Sequence, residues 1–187
     1  MTVKDRWIDL LYRAATGSKR GRAVFTPIGG LVFGLLLLFF VVLSRRADHL
    51  MGIEDLFPGR LNIALSLPLL AAAAFLIGWS VGCFLRAGGT PVPVNPPPRL
   101  VVSGPYAYSR NPMLAGVFTL LFGLGVLLES ATLVFVLTPS FIALMVWWLK
   151  AIEEPELVRR LGQAYVEYRK KTPMFFPRII SVTRERK

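Results

Sequence analysis

Two groups of polar residues lie against otherwise apolar sequence, and both carry side chains able to do chemistry. The first is Ser103-Gly104-Pro105-Tyr106-Ala107-Tyr108-Ser109-Arg110-Asn111-Pro112-Met113, aromatic and rich in turn formers, which runs straight into a long apolar segment. The second is the pair Glu153-Glu154, at the far end of the last apolar segment. Carboxylates accept hydrogen bonds from hydroxyls and pair with ammonium groups, while amide and phenol groups donate. Backbone exposed beside a proline suits the edge of a flat heterocycle. Tyr106, Tyr108, Arg110, Asn111, Glu153 and Glu154, gathered in one place, would hold a cationic, hydroxyl-rich ligand. The same two glutamates also read as ordinary charges at the level of lipid headgroups, and the residues alone leave both readings open.

Most catalytic constellations are missing. One histidine, His49, and one cysteine, Cys83, fall on different segments and cannot build a common metal site, so no metal is expected. There is no phosphate-binding G-x-x-x-x-G-K-[ST] loop. His49 follows Asp48 in a segment, residues 44–60, that reads as a solvent-exposed loop.

The elements that must position these residues are membrane spans. Of the 187 residues 54% are hydrophobic and only 18% are charged, with the charges outside the apolar runs. That pattern belongs to a helix bundle in lipid. The net charge of +11 does not point to nucleic acid, because the basic residues flank apolar runs and are not interleaved with stacking aromatics. The expected architecture is all-α: a polytopic membrane bundle of about four transmembrane helices with amphipathic interfacial helices at both ends. The spans are expected at about 27–43, 61–85, 112–128 and 131–149. Pro68 and Pro139 are expected to kink the second and fourth, and Pro112 suits the first position of the third. Residues 86–111, with five prolines between Pro91 and Pro98, form a stiff strap. The whole chain, 1–187, is expected to be one membrane domain: an interfacial helix within 1–26, two spans within 27–85, and a third region over 86–178.

Four spans place 19 of the 22 Lys and Arg residues on one side of the membrane and 3 on the other. Positive charge favours the cytosolic side, so both termini are expected there, as in a bacterial-type inner membrane protein. The Tyr106–Asn111 stretch and Glu153-Glu154 then share that side. Residues 1–26 carry Trp7, Leu10, Leu11 and Ala14 at helical spacing, which predicts a helix on the membrane surface with Trp7 at headgroup level. After Glu154, Leu157, Leu161, Tyr165 and Tyr168 form one stripe of a further amphipathic helix, ended by Thr172-Pro173.

The ordered combination Gly104-Pro105-Tyr106-Ala107-Tyr108-Ser109-Arg110-Asn111-Pro112-Met113, then Glu153-Glu154-x-x-Leu157, then Tyr165-x-x-Tyr168, resembles the isoprenylcysteine carboxyl methyltransferase-like family, related to the membrane phospholipid methyltransferases. The resemblance covers roughly residues 90–178. It implies an S-adenosylmethionine-dependent methyltransferase acting on a lipidic or small amphipathic acceptor, with membrane lipids as partners. It also implies a cofactor pocket from Leu100, Val101, Tyr106, Asn111, Pro112, Met113 and Leu114, with Glu153 and Glu154 at the cofactor's polar end. Arg110, Asn111 and Glu153 are the candidates nearest the chemistry. Gly123-Leu124-Gly125 matches a cofactor-touching G-x-G of the phospholipid branch, or else simply packs helices.

Two positions depart from the family pattern. The histidine usual after the arginine is Asn111, which forms hydrogen bonds but does not titrate, so no histidine base is assigned. The arginine two residues before the glutamate pair is Ala151, so a prenylcysteine carboxylate is not assigned and the acceptor stays open. Two alternatives stand beside this reading: an NADPH-dependent membrane reductase related to the sterol reductases, and a non-enzymatic membrane protein.

Overall fold

The computed structural model describes residues 2–53, 56–57, 60–92 and 95–175, with backbone alone for 19–25. The Pro58-Gly59 turn signal, Pro93 and the Phe176-Pro177 end of the tail lie outside the described residues. Helix α1 spans Val3–Thr16, α2 Lys19–Met51, α3 Leu61–Arg86 and α4 Pro112–Leu127. A single helical run then follows: a π-helical segment Thr132–Leu137, α5 Thr138–Trp148, a second π-helical segment Leu149–Glu153, and α6 Glu154–Leu161. Helix α7, Gln163–Lys171, completes the fold, and the described residues contain no strand.

Three helical stretches, Thr26–Met51, Leu61–Arg86 and Thr132–Leu161, are long and apolar enough to cross a membrane. The third expected span is the shorter apolar α4, which packs mainly along α3. Leu31, Val32, Leu35, Leu38, Phe39 and Val42 of α2 are all more than half exposed, as lipid-facing side chains are. Its other face, Phe33, Leu37, Phe40 and Val41, packs against a core of Val117, Phe118, Leu121, Leu133 and Phe141. Phe40 and Phe118 both meet Phe141 edge-on, at centroid distances of 5.5 and 5.9 Å. Gly123 belongs to helix packing: a Cβ there would come within 2.8 Å of Leu70 on α3, and one on Gly125 within 2.6 Å of Val134.

Three expectations are corrected. Residues 44–51 are not loop but the last two turns of α2, because the inward stripe of Phe33, Leu37, Phe40 and Val41 continues at helical spacing through Ser44 and Asp48, both buried. Asp48 is therefore no solvent-exposed neighbour of His49, although His49 itself is exposed. Asp48 accepts from Ser130 Oγ and, at 3.0 Å, from the Thr132 backbone N–H, so a carboxylate caps the start of the last helical run. One turn earlier Arg45 donates to the Leu128 carbonyl at 2.6 Å, and Asn62 donates to that of Leu127 at 3.0 Å, satisfying the end of α4. The turn between α4 and the last run is thus gripped by a cation on the carbonyl end and an anion on the amide end.

The second correction concerns the tail. The stripe from Leu157 to Tyr168 is not on one helix, because Gly162 adopts φ 61°, a left-handed conformation that glycine tolerates and that ends α6 before α7 starts. Third, the last span does not stop at Leu149 but continues to Leu161 through two π-helical segments. Each ends two residues before a proline, Pro139 and Pro155. A proline lacks the N–H that would close a normal turn, and a widened turn accommodates the loss.

Replacing Asp48 with Ala leaves Ser130 Oγ and the Thr132 amide buried without their acceptor. It should destabilise the fold by about 1–3 kcal/mol, read as a lower thermal unfolding temperature in detergent. Asp48→Asn, which keeps an acceptor oxygen, should lose less.

Candidate functional site

The strap crosses from α3 to α4 and delivers the Tyr106–Asn111 stretch to the end of the last helical run. Gly104 opens a short 3-10 turn, Gly104–Ala107, at φ 62°, where a Cβ would lie 2.8 Å from Cys83 Sγ and 3.0 Å from Trp79 Nε1. Only glycine allows this approach to α3. It lays Tyr106 flat on Phe84, with ring centroids 4.8 Å apart and 18° between the planes. Tyr106 is buried, and burial raises its phenol above the ordinary tyrosine value.

The next three residues are tied to the tail. The Arg110 backbone N–H donates to the Pro173 carbonyl at 2.9 Å, and that of Asn111 to the Met174 carbonyl at 3.1 Å. Ser109 Oγ and Asn111 Nδ2 donate to the same Met174 carbonyl, at 3.0 and 3.3 Å. From α7, Tyr168 donates its hydroxyl to the Tyr106 carbonyl at 2.6 Å. Burial pushes the Tyr168 phenol up to about 12, with the Arg110 charge opposing. Tyr165, buried beside Arg110 and Glu154, is raised by the same cause.

Facing this corner is Glu154, only 8% exposed. Arg110 Nη1 stands 2.7 Å from Glu154 Oε1, and Arg169 Nη1 stands 3.5 Å from Oε2. One carboxylate therefore joins strap, last span and tail helix. The Arg110 pair is close but not aligned: Arg110 Nε and Nη1 and Glu154 Oε1 are all buried without a hydrogen bond of good geometry. A charge pair at 2.7 Å is strongly attractive between side chains this buried. Glu153, rotated about a quarter turn around the helix, makes no ion pair or hydrogen bond among the described residues. It lies within electrostatic reach of Glu156 and Arg160, themselves bonded at 2.8 Å with Glu156 buried.

The structure brings Arg110, Glu153, Glu154 and Tyr106 to one corner, with Asn111 beside them holding the tail. Pro112 is buried at the start of α4, and Leu114 turns into the core cluster. Met113, Leu100 and Val101 are half-buried, while Tyr108, 63% exposed, faces away from the packed corner. The sequence reading missed Arg169, the Glu156–Arg160 pair and Phe84. The Glu156–Arg160 pair had a signal, since Arg160 stands four residues after Glu156 on one helix face, and Arg169, fifteen residues from Glu154, had none. Phe84 had none either. Among the described residues no three His, Cys, Asp or Glu are grouped to hold a metal.

The corner presents three carboxylates, Glu153, Glu154 and Glu156, and three guanidinium groups, Arg110, Arg160 and Arg169. A ligand with both an ammonium and a carboxylate matches that set in charge. The amino-acid end of S-adenosylmethionine is such a group, so the residues fit it.

The family described as phospholipid methyltransferase matches residues 61–164, more than half of the chain and the whole stretch from α3 to the start of α7. The nickel-cobalt-cadmium resistance protein NccN of Alcaligenes xylosoxydans xylosoxydans is 34% identical over 81 residues, which are 43% of this chain and 37% of that protein. No solved structure matches.

Arg110→Ala leaves Glu154 buried with only the distant Arg169, and removing one partner of a buried pair costs about 3–5 kcal/mol. The variant should unfold at markedly lower temperature than the wild type, and Arg110→Lys should recover part of the loss. The Tyr168 phenol is held above its unfolded value of about 10. Its contribution to stability is complete below that pH and should fade as pH rises towards 12. Tyr168→Phe should shrink this alkaline limb in a pH titration of thermal stability, leaving the part that the buried Tyr106 and Tyr165 phenols contribute.

Proposed function

Because the chain belongs to the phospholipid methyltransferase family, we propose that it transfers a methyl group from S-adenosylmethionine to a lipidic or small amphipathic acceptor at the cytosolic face of the membrane. The observation that carries this reading is the Arg110–Glu154 contact, which joins the strap motif to the glutamate pair, with Glu153 beside it in no ion pair among the described residues. Orientation rests on the 19-to-3 distribution of basic residues, which favours both termini in the cytosol.

When bound, S-adenosylmethionine supplies an activated methyl group on a sulfonium sulfur, whose departure as a neutral thioether drives the transfer. The protein's own part is alignment and exclusion of water. Arg110 and Arg169 fix Glu154, so its carboxylate has a set position at the cofactor's polar end. Glu153 is free to accept from an ammonium or from hydroxyls. Tyr106, Tyr165 and Tyr168 close the corner towards the tail, and their raised phenols stay neutral at physiological pH. Leu100, Val101 and the Asn111–Leu114 turn form the wall on the strap side. An amine acceptor must lose a proton before it attacks, and Glu153 is the carboxylate not already committed to an arginine.

Titration of purified protein with S-adenosylhomocysteine tests the reading. The wild type should bind, and Glu153→Gln and Asn111→Ala should weaken binding roughly tenfold or more, the worth of one or two hydrogen bonds to a charged group. Thermal unfolding should show both variants folded. Binding of NADPH in place of S-adenosylhomocysteine would overturn the proposal in favour of a reductase, and binding of neither would favour a non-enzymatic membrane protein.

A further inference from the structure

Helix α1 does not lie free on a surface. Its Ala15 is buried, its Trp7 ring meets Trp148 edge-on at 5.7 Å, and Asp9 and Tyr12 engage Arg159 of α6, at 3.2 Å from the carboxylate and 4.2 Å over the ring. The helix is thereby clamped to the segment that carries Glu153 and Glu154. Its start is fixed by a reciprocal cap between Thr2 and Asp5.

The side of α1 turned away from α6 is apolar and largely exposed, with Trp7 at its edge, where one side of the ring meets Trp148. Val3, Trp7 and Leu10, spaced to fall on one stripe, are 72%, 45% and 55% exposed. Arg6 and Arg13 flank the stripe on one side. The Arg13 side chain is 79% exposed, and its one carboxylate, Asp9, is shared with Arg159, so two guanidinium groups draw on a single negative charge. Over residues 1–26 six Lys and Arg stand against two Asp. Two residues, Gly17 and Ser18, separate α1 from α2, whose exposed Ile28, Leu31, Val32 and Leu35 face lipid. The stripe therefore sits next to a lipid-facing surface, with surplus positive charge along its edge.

We propose that α1 docks on the anionic headgroup layer of the membrane through Val3, Trp7 and Leu10, with Arg6 and Arg13 pairing lipid phosphates, while its other face clamps α6. An exposed apolar stripe edged by arginines is matched by an anionic lipid surface in both polarity and charge. Docking then couples the charge of the leaflet to the helix that carries the glutamate pair, because Arg159 lies five residues from Glu154 on α6.

The test uses the full chain carrying Cys83→Ala and Leu10→Cys, labelled at the new thiol with an environment-sensitive fluorophore and reconstituted in nanodiscs. In phosphatidylcholine containing phosphatidylglycerol, the emission should be blue-shifted and quenched by lipids spin-labelled near the headgroup. In phosphatidylcholine alone it should be red-shifted and quenched by aqueous iodide. Raising the salt concentration, or adding Arg6→Gln and Arg13→Gln, should convert the first behaviour into the second. Emission that is the same in both lipid compositions, or insensitive to the two arginines, would overturn the proposal. So would a label shielded from both quenchers, which would mean protein covers the stripe. Hydrogen exchange of the α1 amides in the unlabelled wild type should show greater protection in the phosphatidylglycerol discs, independently of whether the label perturbs the helix. Neither readout depends on methyl transfer.

Discussion

The ion pair between Arg110 and Glu154 is the contact on which the strap-bearing end of the bundle depends. It links the proline-rich strap, through the residues that follow its short turn Gly104–Ala107, to the last helical run, and Arg169 adds α7 to the same carboxylate. Burying such a pair is expensive unless further polar partners complete it. Here the surroundings complete it only in part, since Arg110 Nε and Glu154 Oε1 have no aligned partner. A corner that encloses three carboxylates and three guanidinium groups matches a polar ligand of mixed charge. The second π-helical segment supports the same geometry, because the widened turn Leu149–Glu153 includes Glu153 and is capped by Glu154, which sets the direction in which each points.

At the other end of the bundle a different electrostatic device does the holding. Arg45 and Asp48, one turn apart on α2, answer the carbonyl end of α4 and the amide end of the last run. The complementarity follows from the helix macrodipole and from the shortage of water there to satisfy terminal backbone groups. Between the two ends the core is aromatic and aliphatic, built around Phe118 and Phe141. The polar anchors at both ends position a bundle whose middle offers little directional information.

Much of this was legible in the sequence because its signals were local. The extent of α3 and the start of α4 at Pro112 follow from apolar runs bounded by turn residues, and the meeting of Arg110 with the glutamates follows from counting spans. What escaped was non-local or masked by charge. Arg45-Arg46 looks like the end of a span, yet the buried stripe continues beneath it to Asp48, because a helix has two faces and only one of them is charged there. The tail looked like one helix because periodicity does not record a backbone reversal, and Gly162 was the single residue that marked it. Phe84 under Tyr106 and the tail carbonyls of Pro173 and Met174 at Asn111 are pairings across long sequence separations, which spacing cannot reveal. Family membership and the corner's charge set converge on methyl transfer, and Asn111 and Ala151 are the positions where this chain departs from the pattern of the prenylcysteine enzymes.

The central claim is most directly tested by incubating the purified, reconstituted protein with methyl-labelled S-adenosylmethionine and extracted membrane lipid, then separating the lipid phase. The account predicts label in the organic phase, abolished by Glu153→Gln while the variant stays folded. Lipid that stays unlabelled, with no methylated product in either phase from a protein that is folded and binds S-adenosylhomocysteine, would contradict it.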